Sequence, residues 1–171
     1  LDHAYWEGED GSTRESLEAA PVAGFVFKTL ADPFAGQLTV MRVLSGTLTG
    51  DMSLVNSRTG QQERMGQLLL TIGKDQTPCK TPLGPGSIVT LAKLKDTNTG
   101  DSLSSDKAPF ALAKPKLAPT LITYALAPKD KGDEDEVYQA MAKLLEEVVT
   151  LKLGRDEATA DTLLSGMGQN H

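Results

Sequence analysis

The sequence predicts a mainly β fold: a small barrel or sandwich of short strands, followed by a smaller α+β part. Three observations predict this. Short β-rich runs broken by glycines and prolines fill residues 21–113, two prolines mark a linker at residues 114–119, and residues 120–171 contain the clearest helical period. A chain of 171 residues has room for one medium domain or two small ones.

Within the first part, turn residues separate the predicted strands. Asp32 to Gly36 and Ser57 to Gly60 have the composition of turns, in which proline presets φ and glycine accepts positive φ. Thr77 to Gly86 holds three prolines and two glycines and is therefore predicted to be a loop. Strands are predicted at residues 23–30, 37–44, 54–57, 63–70 and 87–92.

The second part has a predicted β-α-β-β order. A strand at residues 121–127 precedes a helix from about Glu134 to Val148, and strands follow at 151–155 and 159–164. Asp133 is predicted to cap the helix. This order matches the first four elements of a ferredoxin-like split β-α-β unit. A truncated unit of this kind is expected to expose apolar surface and an open sheet edge, which allows self-association. The apolar helix positions are Val137, Met141, Leu144, Leu145 and Val148.

Charge is distributed unevenly along the chain. The net charge is −6, and residues 1–20 hold one basic and six acidic residues. These twenty residues show no sustained period and are predicted to be an acidic connector or edge segment, with Tyr5 and Trp6 available to dock on a neighbour. Residues 21–113 hold nine basic and seven acidic residues, so only this part has a cationic surplus that could face phosphate.

Several classes of site are absent from the sequence. The string G-x-x-x-x-G-K-[S/T], whose amides and lysine cradle nucleotide phosphates, does not occur. His3 and His171 stand at opposite ends and Cys79 is the single cysteine, so no cysteine-based zinc cluster or internal disulfide is expected. No apolar run approaches the ~20 residues that span a bilayer. We therefore expect no catalytic, cofactor or metal site within this chain.

The remaining candidates are basic side chains of the β-rich part, which could contact RNA phosphates. For two of them, Arg58 and Lys95, a locally paired or solvated cation is an equally good interpretation. Arg42 lies mid-strand between apolar neighbours, which favours a structural role that bridges to an adjacent domain. The full set of candidate RNA contacts is Arg42, Arg58, Arg64, Lys93 and Lys95.

Ordered blocks of residues resemble the elongation factor G family of translational GTPases. Asp32-Pro33-Phe34-Ala35-Gly36-Gln37-Leu38, followed by Arg42-Val43-Leu44-Ser45-Gly46, is similar to the D-P-x-x-G-x-L and R-V-x-S-G blocks of the family's domain II. Arg64 to Leu68 and Leu94 to Leu103 resemble its later blocks. Ala125 to Lys129 and Ser165 to Gly168 look like domain III.

The resemblance implies a translation-protein-type barrel at 21–113 and a partial ferredoxin-like domain at 120–171. It also implies that residues 1–20 connect from a missing GTPase domain, which would carry GTP and Mg²⁺. This chain would then hold non-catalytic domains of a cytoplasmic factor that docks on the ribosome's small subunit and relays GTP-state changes during translocation. By resemblance, the surface that faces the neighbouring domains and the nucleotide switch regions contains Pro119, Gly166, Gly168 and His171.

Departures from the family pattern indicate a divergent member. Gln169 and Asn170 stand where the family has glutamate and leucine before the histidine, and Leu117 replaces a frequent proline. Two alternatives therefore stay open. One is a ribosome-recycling or ribosomal-protection GTPase of the same architecture, and the other is a stand-alone RNA-binding barrel.

Overall fold

A computed structural model describes residues 4–32, 36–73, 75–128 and 132–170, without the side chain of Glu134. The chain divides into two units, Leu1–Lys114 and Pro115–His171. The elements of unit 1 are β1 (Tyr5–Glu7), β2 (Thr13–Glu15), β3 (Ala23–Asp32), β4 (Gly36–Ser45), β5 (Ser53–Asn56), β6 (Gln62–Arg64), β7 (Leu68–Ile72), β8 (Asp75–Cys79), β9 (Ile88–Ala92) and β10 (Ser102–Ser104). Those of unit 2 are β11 (Ile122–Leu126), α1 (Glu134–Glu147), β12 (Lys152–Arg155) and β13 (Thr162–Gly166).

Eight strands of unit 1 form one barrel-like sheet, which confirms the predicted fold class. The strand order is β6-β5-β10-β3-β4-β9-β7-β8. The longest hairpin, β3–β4, carries register shifts at Ala23/Gly24 and Val26/Lys28, and such irregularities bend a sheet. Alternate side chains point inward and form a core cluster of Val26, Met41, Val43, Leu48, Leu54, Met65, Leu68, Val89, Leu91, Leu94 and Leu103.

Two details of the barrel prediction are wrong. Residues 63–70 form parts of two strands rather than one, because Gly66 turns the chain at φ +63° between β6 and β7. The expected loop at Thr77 to Gly86 begins as strand, since β8 pairs with β7 along five residues and places Pro78 opposite Leu69. Pro78 is tolerated because β8 is an edge strand, where a missing N–H need not break the ladder. Pro33, Phe34 and Ala35 of the turn predicted at Asp32 to Gly36 lie outside the described residues.

Residues 1–20, predicted to be a connector or an edge segment, contain a short hairpin. β1 and β2 pair as an antiparallel hairpin, and Gly8 bridges to Leu112 at the end of the same unit. The indole N–H of Trp6 donates to the carbonyl of Leu44 at 3.0 Å, and Arg14 lies over the ring of Phe110 at 5.0 Å. Side chains of Trp6 and Arg14 and backbone groups of Gly8 and Glu9 therefore join this segment to the rest of unit 1.

Unit 2 has the predicted β-α-β-β order. Its three strands form a sheet in the order β11-β13-β12, and the apolar positions Val137 and Met141 of α1 are half-buried. Asp133 is the N-cap residue, but its side chain makes no capping bond, so the predicted cap is wrong. Its φ and ψ of −91° and 6° lie outside the β region in which a capping side chain reaches the N2 or N3 amide.

Apolar side chains of unit 2 remain accessible. Leu121 is 76% exposed, Tyr124 54% and Leu153 37%. These values confirm the predicted exposed apolar surface. Residues 113–121, between the last bridge of unit 1 and β11, have no regular secondary structure.

Gly46 shows why one block of the sequence requires glycine. It adopts φ +73°, and a Cβ atom there would lie 2.6 Å from Cα of Val22 and 2.7 Å from the carbonyl oxygen of Ala20. Next to it, the hydroxyl of Ser45 donates to the carbonyl of Pro21 at 2.7 Å. The backbone of residues 20–22, which leads into β3, therefore lies directly against Ser45 and Gly46.

We expect Gly46→Ala to lower the free energy of unfolding of unit 1 by about 3 kcal/mol, because strain at positive φ adds to a backbone collision. The matched control is Gly60→Ala, which has φ +70° and open space around the added Cβ, and should cost only about 1 kcal/mol. Urea unfolding followed by the fluorescence of Trp6, the single tryptophan, measures both. Equal losses in the two variants would contradict the steric explanation.

Candidate nucleic-acid interface

A buried carboxylate organises one end of the barrel. In β6 the side chains of Gln62 and Arg64 are exposed, while Glu63 between them is 2% exposed. Its two carboxylate oxygens accept the backbone N–H of Lys95 at 3.0 and 3.1 Å, and one of them accepts the N–H of Asp96 at 2.9 Å. The hydroxyl of Thr97 donates to the same oxygen at 3.2 Å. These bonds replace the water that a buried carboxylate loses.

The loop that reaches Glu63, residues 93–101, connects β9 to β10. Lys93 turns the chain at φ +62°, which is uncommon for a residue with a side chain. Leu94 then inserts into the core cluster, so Lys93 and Lys95 on either side of it are exposed. The loop therefore presents two cations from a backbone that is held at Leu94 and at Glu63.

A second buried carboxylate, Asp101, closes the same loop. It is 3% exposed and accepts the backbone N–H of Asn98 at 2.9 Å and the amide of Asn56 at 2.8 Å. The guanidinium of Arg58 donates to Asp101 at 2.9 Å and to the carboxylate of Asp96 at 2.9 Å. The two ends of the loop are thus fixed by side chains from β5, β6 and the turn between them.

These contacts shift the pKa of both partners. Burial by itself would raise the pKa of Asp101, but the bonds from Arg58, Asn98 and Asn56 together outweigh burial and lower it below its ordinary 3.8. The bonds to Asp101 and Asp96 raise the pKa of Arg58 above its ordinary value. The carboxylates of Asp96 and Asp101 therefore balance the positive charge of Arg58.

The candidate cations fall into two groups. Arg64, Lys93 and Lys95 are exposed and form no ion pair within 4.0 Å in the part of the chain that the structure describes. Arg64 is nevertheless close enough to Asp51 to add to the hydrogen bond from Thr49 in lowering the pKa of that carboxyl. Arg58 forms two ion pairs, and Arg42 lies beside the ring of Trp6, with its guanidinium carbon 5.4 Å from the ring centroid. Arg42 therefore contacts the N-terminal hairpin of its own unit, while the first three cations face outward.

The candidate residues for the domain-facing surface are dispersed along unit 2. Pro119 is exposed in the segment before β11. Gly166 is buried at the end of β13, where its carbonyl accepts the N–H of Leu121 at 2.8 Å. Gly168 is half-buried with open space where a Cβ would stand, and His171 lies outside the described residues.

Sequence reasoning missed Glu63, which holds the loop. The signal was present in the alternation of β6, where a period of two places Glu63 on the inward face beside outward Arg64. A charge on the inward face of a strand requires partners, but the sequence does not say which segment supplies them. Met65 and Leu68, from one block singled out in the sequence, lie in the same core cluster as Leu94 and Leu103 from another.

The described residues contain no candidate metal centre. No three histidine, cysteine or acidic side chains converge as metal ligands between residues 4 and 170, apart from the gaps given above. Within the same limits, no helix has the length and apolar character needed to cross a membrane.

The pKa of Asp101 predicts acid sensitivity. Because its pKa is lower in the folded than in the unfolded chain, its charge stabilises the fold above pH 3.8, and this contribution is lost as the pH falls further. We expect Asp101→Asn to cost about 2 kcal/mol at neutral pH, since buried partners are left poorly matched. The exposed control Asp106→Asn should cost little.

Urea unfolding at a series of pH values, read from Trp6 fluorescence, checks this prediction. The free energy of unfolding of Asp101→Asn should fall less on acidification than that of the unaltered chain. Parallel pH profiles for the two proteins would contradict it.

Comparisons with known proteins agree on one family. Residues 21–106 match the family model described as elongation factor G domain 2, and residues 117–171 match elongation factor G domain III. A solved protein from Thermus thermophilus superposes with a TM-score of 0.78 at 32% sequence identity, over 87% of this chain. The matched region is 22% of the Thermus chain's length. The chain belongs to the elongation factor G family and contains that family's domain II followed by domain III sequence.

Proposed function

We propose that this chain serves a ribosome-dependent translation elongation factor, and that its barrel docks on small-subunit ribosomal RNA through Arg64, Lys93 and Lys95. The observation that carries the proposal is the β9–β10 loop. Its backbone is bonded to a buried carboxylate, and two exposed cations, Lys93 and Lys95, project from it. Fixed cations on a positioned backbone are suited to contact phosphates.

The overall charge requires such a local surface. With a net charge of −6, the chain as a whole repels RNA, so attraction has to come from exposed cations that no ion pair balances locally. Arg58 is left out of the proposed surface because Asp96 and Asp101 balance its charge. Arg42 is left out because it lies against Trp6.

The role of the second unit rests on family membership. We propose that it relays GTP-state changes during translocation and that Pro119, Gly166, Gly168 and His171 belong to its domain-facing surface. GTP and Mg²⁺ would bind a nucleotide domain elsewhere in the whole protein, and these two domains would carry out no chemistry. A cytoplasmic location and self-association of this chain stay predictions.

Cosedimentation of the chain with purified bacterial small ribosomal subunits, over a range of salt concentrations, tests the docking surface. Lys93→Ala, Lys95→Ala and Arg64→Ala should each weaken binding several-fold and reduce the slope of log K against log salt by about 1. The matched control is Lys107→Ala, an exposed lysine beyond the opposite end of β10, and its slope should not change.

Absence of salt-dependent cosedimentation by the unaltered chain would overturn the docking proposal. Equal affinity of the chain for any unstructured RNA would instead favour a stand-alone RNA-binding barrel.

A further inference from the structure

Glu63 holds the backbone of the loop that carries Lys93 and Lys95 of the proposed docking surface. Its carboxylate accepts the backbone N–H of Lys95 and of Asp96, and the hydroxyl of Thr97, while its own side chain is 2% exposed. Because it lies on the inward face of β6, Glu63 itself is not placed to contact RNA.

The location of Glu63 is costly for the fold. Its partner Thr97 also accepts a bond from buried Asn56, so Glu63 belongs to a buried polar network, and a buried carboxylate lowers stability unless each oxygen is bonded. Its hydrogen bonds all go to residues 95–97. The carboxylate therefore determines the path of this loop.

The path of the loop determines where the cations point. Leu94 is buried between Lys93 and Lys95, so a shift of the backbone at residues 95 and 96 would redirect both lysine side chains. Glu63 thus fixes the backbone from which Lys93 and Lys95 project, while Arg64, the next residue on the short strand, points to the opposite face.

We infer that Glu63 is a positioning residue for RNA docking: it pre-organises Lys93 and Lys95 so that they meet phosphates without further ordering of the loop. Pre-organisation raises affinity because less conformational freedom is lost on binding. The inference rests on the docking function proposed above and adds the internal group that sets the geometry of that surface.

The direction of the change in RNA affinity when Glu63 is replaced distinguishes a positioning role from a purely electrostatic one. Removing a negative charge near an RNA-binding surface should tighten binding, because repulsion with phosphates decreases. A positioning role predicts the reverse, since loss of the carboxylate releases the loop. Glu63→Gln keeps the volume of the side chain but replaces one acceptor oxygen with an N–H donor that faces the amide of Lys95.

The test measures the affinity of Glu63→Gln for purified bacterial small ribosomal subunits at fixed salt. We expect a loss of about three- to tenfold in affinity, corresponding to ~1 kcal/mol. The control is Glu157→Gln, an exposed residue of unit 2 with the same change in net charge, which should bind equally or slightly more tightly. Hydrogen exchange of the amides of Lys95 and Asp96 should accelerate only in the Glu63 variant.

Glu63→Asp is a second variant for the same affinity measurement, for the case in which Glu63→Gln does not fold. It retains the charge and shortens the side chain, so weaker binding cannot arise from a change in net charge. In a Lys93→Ala/Lys95→Ala background, either substitution of Glu63 should have little further effect, because the cations that it positions are already absent.

Binding by a folded Glu63 variant that equals or exceeds that of the unaltered chain would overturn the inference and leave the docking proposal intact. An equal loss with and without the two lysines would also overturn it. If the unaltered chain itself fails to bind the subunits, the docking proposal and this inference are both wrong.

Discussion

The structure of the barrel end depends on the bonds that two buried carboxylates make to one loop. Glu63 and Asp101 are 2% and 3% exposed, and each would destabilise the interior if it were left unbonded. Their partners are backbone amides of the β9–β10 loop together with Asn56 and Arg58. Because a backbone amide has a fixed direction, these bonds specify the path of the loop more narrowly than apolar contacts could. The outward cations take their positions from that path.

The beginning and the end of unit 1 are joined to each other. Glu9 N–H donates to the carbonyl of Ala111 at 2.9 Å, the N–H of Ala113 donates to the carbonyl of Glu7 at 2.9 Å, and Glu9 pairs with Lys114 at 3.7 Å. The chain that enters the barrel therefore runs beside the chain that leaves it. A displacement of the N-terminal hairpin would break or strain its contacts with residues 111–114 at the end of unit 1.

Among the described residues, unit 2 buries fewer apolar side chains than unit 1. It contains one amphipathic helix and a three-stranded sheet, and the apolar residues of that helix are half-buried or exposed. In unit 1, by contrast, eleven buried apolar residues form one cluster. Stability is expected to differ between the units for this reason, since the free energy gained on folding follows the apolar area removed from water.

The sequence by itself determined the fold class, the β-α-β-β order and the family, because apolar periodicity and turn residues act locally and the family blocks are contiguous. It also determined which residues are cations. It did not reveal β8, whose Pro78 is acceptable only at a sheet edge, or the partner of Trp6, which is the carbonyl of Leu44 on a distant strand. Only the tertiary structure separated balanced Arg58 from unpaired Lys95. That distinction depends on carboxylates placed by long-range pairing, and their positions follow from the closed path of the chain rather than from any local pattern.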